Sequence, residues 1–314
     1  GNVAVGKDAL AANTTGQKNI GIGLDSLTAN TTGANNVSVG SDSLDVNTTG
    51  SDNTSAGGSS LGGNTTGNNN TAFGRRALLI ATTANSNPAI GFAALFANTT
   101  GEDNVGIGNS ALGANTTSSY NTAVGNRALL VNTAELNTAV GSLCMQANTT
   151  GTQNAAVGQA AMYANTTGSY CTAVGRYALR LNTTGTSNSA VGNQALDANT
   201  TGASNTAMGV NALGANTTAS NNVAFGDQAL AGNTTGAGNV AVGHDALEAN
   251  TTANYNTGVG FEALKLNTTG TRNTALGAYS LDGNTTVSDC TAVGAYALTA
   301  ANTGTNNCAF GSQS

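Results

Sequence analysis

The chain has 314 residues, of which 8% are charged and 4% aromatic; it contains 43 Gly, one Pro and no Trp, and its formal net charge is −6. This composition is too apolar and too regular for a disordered coil, and too poor in large side chains for a thick globular core. The nine Lys and Arg are scattered, which excludes the basic surface of a nucleic-acid-binding protein. No stretch reaches the roughly 20 apolar residues of a membrane helix, so membrane insertion is not expected.

One unit repeats from the first residues onward, with the consensus N-T-A-V-G-x-x-A-L-x-A-N-T-T-G-x-x. Units begin at residues 2, 19, 36, 53, 70, 87, 104, 121, 137, 154, 171, 188, 205, 222, 239, 256, 273, 290 and 307. Every interval is 17 residues except one of 16, where "VNTAELN" (131–137) has lost one residue of the Asn-Thr-Thr-Gly turn. We number the positions of each unit 1 to 17, call each unit a coil, and number the coils 1 to 19 in chain order.

The first part of each coil predicts a short β-strand. Position 4 is nearly always a large apolar residue, such as Val5 or Phe73, and position 2 is mostly Thr or Val. Gly follows at position 5 in all nineteen coils, as expected where a strand ends in a turn that needs positive φ or close backbone approach. We therefore expect positions 2 and 4 to face the interior.

The second part, Ala-Leu-x-Ala, predicts a second short strand, which the Asn-Thr-Thr-Gly turn closes. Position 9 is Leu in sixteen of eighteen coils and Met in the other two, and it is also expected inside. Coils this small bury apolar side chains only by stacking on each other. The predicted fold is all-β, a parallel β-solenoid or β-roll of about 18 stacked 17-residue coils with two short strands per coil. Residues 1–314 form one repeat array that starts and stops inside a coil, as a segment of a longer fibre would.

Position 3 is restricted to small residues: fourteen Ala, three Gly and two Ser. A continuous strip of small apolar side chains is typical of a surface pressed against a second copy of the chain, so we predict a homo-oligomer, with a trimer favoured, or an end-to-end fibre. The alternative is that this face turns inward in a flattened coil.

The segments "NTAVGNRAL" (121–129) and "NVAVGHDAL" (239–247) resemble the head repeats of trimeric autotransporter adhesins. The longer phrase NTAVG..AL..NTTG resembles repeats of phage-tail-fibre-like surface proteins. The resemblance covers the whole chain and implies stacked β-rolls, three-fold assembly and an extracellular, cell-surface or virion-surface location. The matched motifs contain no catalytic residues.

No localised constellation for catalysis, cofactor binding or metal binding is recognisable in the sequence. His244 is the only His and has no recognisable nucleophile beside it, while Asp25, Asp42, Asp227 and Asp245 fall at scattered turn positions. Cys171 and Cys290 replace the Asn of position 1, and neither they nor Cys144 and Cys308 have paired spacing. The sequence therefore predicts a non-enzymatic protein without cofactor.

The Asn-Thr-Thr turn has three interpretations. It can be a structural turn ladder, an ice- or carbohydrate-binding row, or a row of N-glycosylation acceptors on exposed turns. The candidate acceptors are Asn13, Asn30, Asn47, Asn64, Asn98, Asn115, Asn148, Asn165, Asn182, Asn199, Asn216, Asn233, Asn250, Asn267 and Asn284. Further Asn-x-Ser/Thr sites lie at Asn36, Asn53 and Asn69. The leading prediction is a structural fibre or stalk with a possible glycan coat, and the alternative is a ligand-binding solenoid.

Overall fold

The computed structural model describes residues 1–299 and 304–314, which contain one three-residue strand per coil and no helix. They divide into two compact units, Gly1–Gln153 and Asn154–Ser314. The first unit contains β1 (Val3–Val5), β2 (Ile20–Ile22), β3 (Val37–Val39), β4 (Thr54–Ala56), β5 (Thr71–Phe73), β6 (Pro88–Ile90), β7 (Val105–Ile107), β8 (Thr122–Val124) and β9 (Thr138–Val140). The second contains β10 (Ala155–Val157), β11 (Thr172–Val174), β12 (Ser189–Val191), β13 (Thr206–Met208), β14 (Val223–Phe225), β15 (Val240–Val242), β16 (Thr257–Val259), β17 (Thr274–Leu276), β18 (Thr291–Val293) and β19 (Cys308–Phe310). Both units repeat the same coil, so one continuous array stays a prediction.

Within each unit, every strand pairs in parallel with the strand one coil away. Val3 faces Ile20, and Val223 faces Val240, so equivalent positions stack on each other. The pairing survives the short coil, where Thr122 faces Thr138 across 16 residues, because the missing residue lies in the distant turn. The predicted all-β parallel solenoid of 17-residue coils is confirmed.

The second predicted strand is wrong: the described Ala-Leu-x-Ala segments are turns. The position-9 residue has φ between 48° and 55° in every coil, for example 54° at Leu247 and 48° at Met145. This left-handed conformation cannot continue an extended strand. Because each coil is narrow, its backbone has to change direction several times. Backbone hydrogen bonds to the next coil stabilise these turns, as where the Leu247 N–H donates to the Ala263 carbonyl at 2.9 Å.

The interior contains positions 3 and 9, and position 4 points outward. Ala123 and Leu129 have no exposed surface, whereas Phe73 is 43% exposed. The Leu column is therefore inside as predicted, and the predicted interior location of positions 2 and 4 is wrong. Position 3 is small because it packs directly on Leu of position 9: a Cβ added to Gly106 would lie 3.0 Å from Leu95 Cγ.

The strip of small residues at position 3 is thus the inner face of the sheet. This strip cannot also be an oligomer interface, so the predicted location of the interface is wrong and the inward-facing alternative is confirmed; the homo-oligomer itself stays a prediction. The two-residue period of a strand identifies which residues share a face. It does not show which face is buried here, because Ala of position 3 and Val of position 4 are both apolar; the small space beside Leu of position 9 determines that the Ala face lies inside.

Glycine at position 5 is required by its backbone. These residues have φ between 123° and 143°, which L side chains rarely adopt. A Cβ added to Gly74 would lie 2.6 Å from the carbonyl oxygen of Gly91 in the next coil. The coils stack too closely at this corner for any side chain, which explains the invariance of this glycine.

Candidate functional site

Asparagine at position 12 forms a buried ladder along each unit. The Asn47 amide donates to Asn30 Oδ1 at 2.9 Å in the preceding coil, and to the Gly50 carbonyl at 3.0 Å in its own turn. The same pair of bonds occurs in the second unit, where Asn199 donates to Asn182 Oδ1 and to the Gly202 carbonyl. Each amide therefore closes its own turn and joins two coils.

Asparagine at position 1 forms a second buried ladder. Asn36 Oδ1 accepts the backbone N–H of Asn53 at 3.0 Å, and Asn36 Nδ2 donates to the Gly50 carbonyl at 2.8 Å. Cys171 substitutes here without breaking the stack, because its backbone N–H still donates to Asn154 Oδ1 at 2.9 Å. Two columns of amides thus supply most of the polar part of the core, where unpaired groups would be unfavourable.

The position-12 ladder is interrupted twice in the first unit, and each interruption leaves an unpaired oxygen in the coil before it. Ala81 stands where Asn is expected, and the buried Oδ1 of Asn64 has no hydrogen-bond partner. In the 16-residue coil, Asn132 donates to the Ala134 carbonyl instead of the preceding Asn, and Asn115 Oδ1 is also unpaired. These two orphan atoms show how a ladder oxygen is left when the next coil supplies no amide, whereas Asn284 Oδ1 accepts the Val287 N–H of its own turn at 3.0 Å.

The two threonines of the turn have different roles. At position 13 the hydroxyl donates to the same position of the next coil, as Thr48 does to the Thr65 carbonyl at 3.0 Å. At position 14 the side chain is exposed, and its hydroxyl makes no hydrogen bond to the described part of the chain. This exposed threonine row consists of Thr15, Thr32, Thr49, Thr66, Thr83, Thr100, Thr117, Thr150, Thr167, Thr184, Thr201, Thr218, Thr235, Thr252, Thr269 and Thr286.

The glycosylation prediction assumed that the acceptor asparagines lie on exposed turns, and this assumption is wrong. Fourteen of the fifteen candidate acceptors have no exposed surface, and Asn13 in the first coil is half-buried. Their Nδ2 atoms, which would carry the glycan, donate within the ladder. Asn36 and Asn53 are buried in the position-1 ladder, and only Asn69 is exposed. Occupancy itself stays a prediction.

A shallow groove lies at the 16-residue coil, where the residue of position 14 is missing. Its walls include Thr117 and Thr150 of the neighbouring coils, together with Thr133, Glu135 and Leu136. The groove therefore follows directly from the deletion, which opens a gap in the exposed threonine row.

His244 belongs to a charged cluster in the second unit. Its Nδ1 lies 3.3 Å from Asp245 Oδ1, and its ring stacks on Phe261 at a centroid distance of 5.3 Å. Lys265 Nζ donates to Asp245 Oδ2 at 2.8 Å and lies 3.3 Å from Glu262 Oε1; these hydrogen bonds raise the pKa of Lys265. The Lys265–Asp245 ion pair links two adjacent coils, and a non-catalytic role for His244 stays a prediction.

The acidic turn residues named from the sequence stack in pairs within each unit. Asp25 and Asp42 occupy position 7 of adjacent coils in the first unit, and in the second the Asp245 N–H donates to the Asp227 carbonyl at 3.1 Å. None of the four cysteines forms a disulfide bond within the described part of the chain; burial raises the pKa of Cys144 to about 12 and also raises that of Cys171. The described residues contain no group of three His, Cys, Asp or Glu side chains placed to hold a metal ion. They also contain no helix long and apolar enough to cross a membrane.

The outward face of each sheet carries positions 2 and 4, and it is the surface that sequence reasoning missed. It has no Asp, Glu, Lys, Arg or His in any of the nineteen strands. Exposed residues at position 4 include Ile90 (41%), Val174 (40%) and Met208 (44%). With strands about 4.8 Å apart, nine strands present roughly 400 Å², which is comparable to the largest apolar patch of a typical soluble monomer, a surface that is often functional.

No protein-family model matches the chain, and a comparison with curated proteins finds none that is similar. The likeness to adhesin heads and tail-fibre repeats therefore stays a prediction from the motifs.

Proposed function

We propose that this chain is a non-enzymatic structural segment of a fibre or stalk on a cell or virion surface, or otherwise outside the cell. The observation that supports this role is the use of the recurring residues. Position-1 and position-12 Asn, position-13 Thr, position-5 Gly and position-9 Leu are all consumed by coil-to-coil contacts. Most of the recurring residues therefore serve coil-to-coil stacking, as expected for a segment built as a uniform stack.

The partner in this proposal is a second and third copy of the chain, which associate through the outward face of the sheet. An uncharged face of Val, Ile, Thr and Phe is unfavourable in water and becomes favourable when another such face covers it. We do not include a glycan coat on the ladder, because fourteen of its acceptor amides are buried.

The test is the mass of the assembly in solution. Val174→Arg combined with Val242→Arg places two charges on the outward face, where both parent residues are exposed. We expect light scattering to give a multiple of 30.5 kDa for the parent chain and a shift toward the single-chain mass for the variant. Tyr163→Arg, at a residue that is 39% exposed and lies off the sheet, is the control and should leave the mass unchanged. A monomeric parent, or an unchanged variant, would refute the outward-face interface.

The exposed threonine row favours a second candidate, an ice- or carbohydrate-binding solenoid. Its hydroxyls repeat at the coil spacing of about 4.8 Å and are free to bond a regular ligand lattice. A thermal-hysteresis measurement on the parent chain and on Thr184→Lys with Thr201→Lys decides this point. Activity that the double variant loses would support ice binding, and absence of activity in the parent would remove it.

A further inference from the structure

One edge of the first unit has an unusual arrangement of residues. Positions 6 and 7 of coils 2 to 6 stack directly, since each position-7 N–H donates to the position-6 carbonyl of the preceding coil. We call this surface the coil-edge column. Its pairs are Leu24–Asp25, Ser41–Asp42, Gly58–Ser59, Arg75–Arg76 and Phe92–Ala93.

The column carries one large exposed apolar side chain at each end; it is acidic on one side of its centre, where Asp25 and Asp42 lie, and basic on the other. Leu24 is 46% exposed in coil 2, and Phe92 is 45% exposed in coil 6. Asp42 lies in coil 3, and the exposed Arg75 and Arg76 lie in coil 5. Among the described residues, none of these three charged groups has an ion-pair partner within 4.0 Å.

Coil 4, at the centre, has the smallest side chains of the column, Gly58 and Ser59. A Cβ added to Gly58 would meet nothing closer than the Ser41 carbonyl oxygen at 4.0 Å, so this part of the edge is open. Another chain can therefore approach the backbone here more closely than at the coils on either side.

The arrangement of charged and apolar residues along the coil-edge column is complementary to the same column turned end to end. When a second copy is turned by a two-fold axis through coil 4, Leu24 faces Phe92 of that copy, Asp42 faces its Arg75 and Arg76, and Gly58–Ser59 face themselves. We propose that two copies of the chain associate side by side and antiparallel through the coil-edge column. The contact is isologous, so each charge pair and each apolar pair occurs twice.

Parallel in-register association through this edge is unfavourable. It would place Asp42 against Asp42 and the Arg75–Arg76 pair against its equivalent, and like charges brought together across an interface are repulsive. The coil-edge column thus selects the antiparallel arrangement, whereas three-fold assembly through the outward sheet face uses different residues and is independent of it.

The contact is small. Four coil steps span roughly 19 Å, so each copy contributes far less than the about 800 Å² of a stable protein interface. We therefore expect weak, salt-sensitive pairing of isolated chains, strengthened where many chains lie side by side.

Cysteine cross-linking tests the geometry. Position 7 of coil 2 in one copy faces position 7 of coil 6 in the other, so a Cys308→Ser chain carrying Asp25→Cys is mixed with one carrying Ala93→Cys. Cys308 is replaced because it is the exposed thiol; Cys144, Cys171 and Cys290 are buried. At low salt, a short bis-maleimide should cross-link the mixture into dimers, and neither chain with itself. Cross-linking of either chain with itself, or none in the mixture, would overturn the proposal.

Charge reversal tests the chemistry. Arg75→Glu with Arg76→Glu in the Ala93→Cys chain should lower the cross-linking yield with the Asp25→Cys chain by about tenfold, as a loss of roughly 1.4 kcal/mol would. Adding Asp42→Arg to the Asp25→Cys chain should restore the yield, because opposite charges again face each other. A yield that ignores the reversal, or that Asp42→Arg fails to restore, would also overturn the proposal.

Discussion

The oxygen of a buried asparagine in the position-12 ladder usually accepts a hydrogen bond from the amide of the following coil, as Asn30 Oδ1 does from Asn47. The unpaired Asn64 Oδ1 in front of Ala81 is the direct consequence of one missing amide. A buried acceptor without a donor is more unfavourable than the same site made apolar, so the ladder is sensitive to single substitutions.

Ala81→Asn is therefore expected to stabilise the first unit. The new amide can donate to Asn64 Oδ1, and its oxygen can accept from Asn98 Nδ2, which at present donates only to the Gly101 carbonyl. The gain should be about 1–3 kcal/mol, measured as a higher melting temperature by circular dichroism.

The control for this substitution is Ala114→Asn, which adds the same side chain at an exposed position. It should change the free energy of unfolding by no more than about 0.5 kcal/mol. Equal melting temperatures for Ala81→Asn and the parent would show that the orphan oxygen is satisfied by other means.

Glycine at position 5 provides a second prediction for single residues. Gly74→Ala has to adopt φ near 125° with its Cβ against the backbone of the next coil, and it should destabilise the unit by at least about 2 kcal/mol. Gly58→Ala, one coil earlier in an open and ordinary conformation, should be neutral or stabilising by up to about 1 kcal/mol. Denaturant titrations of the two variants compare them; similar losses would mean that the corner does not require glycine.

The strand is the element whose orientation the sequence left undecided. Its alternation shows that positions 2 and 4 lie on one face and position 3 on the other, but a three-residue strand with two apolar faces has no polar side to mark the exterior. The orientation of the Leu residues at position 9 is not ambiguous in this way, because the turns after the strand place them opposite the sheet, where they point into the coil.

A buried and an exposed leucine therefore provide a matched test of which positions lie in the core of the coil. Leu247 is fully buried, whereas Leu266 in the next coil is 50% exposed. Leu247→Ala should lower the free energy of unfolding by about 2–5 kcal/mol through lost burial and the cavity it leaves. Leu266→Ala should change it by less than about 1 kcal/mol. Comparable losses in thermal unfolding would contradict the placement of position 9 in the core.

At the scale of the whole molecule, the stability of each unit is distributed over neighbouring coils, because each described coil bonds to the coils before and after it. A covalent modification of one ladder amide would disturb two coils at once. The glycan acceptors are thus also structural groups, and folding and glycosylation compete for the same nitrogen atoms.

The folded chain from a eukaryotic secretory host is accordingly expected to keep its fourteen buried ladder amides bare, with Asn69 as the accessible acceptor. Intact mass spectrometry should give 30.5 kDa, or that mass with one glycan, for the secreted segment. Asn69→Gln is the control that should return the mass to the bare value. Several glycans on a chain that melts like bacterially produced protein would show that the ladder tolerates them.

The sequence by itself determined the 17-residue period, the parallel stacking of equivalent residues, the buried Leu column and the corner glycine. These follow from local features: a repeat, a two-residue alternation and the conformational freedom of Gly. Tertiary structure alone decided that Ala of position 3 lies inside, that the Asn of the turns are buried and that Ala-Leu-x-Ala is no strand. The physical reason is the thinness of the coil: Leu129 fills the interior, only a small residue fits opposite it, and turn amides without access to water bond to the adjacent coil instead.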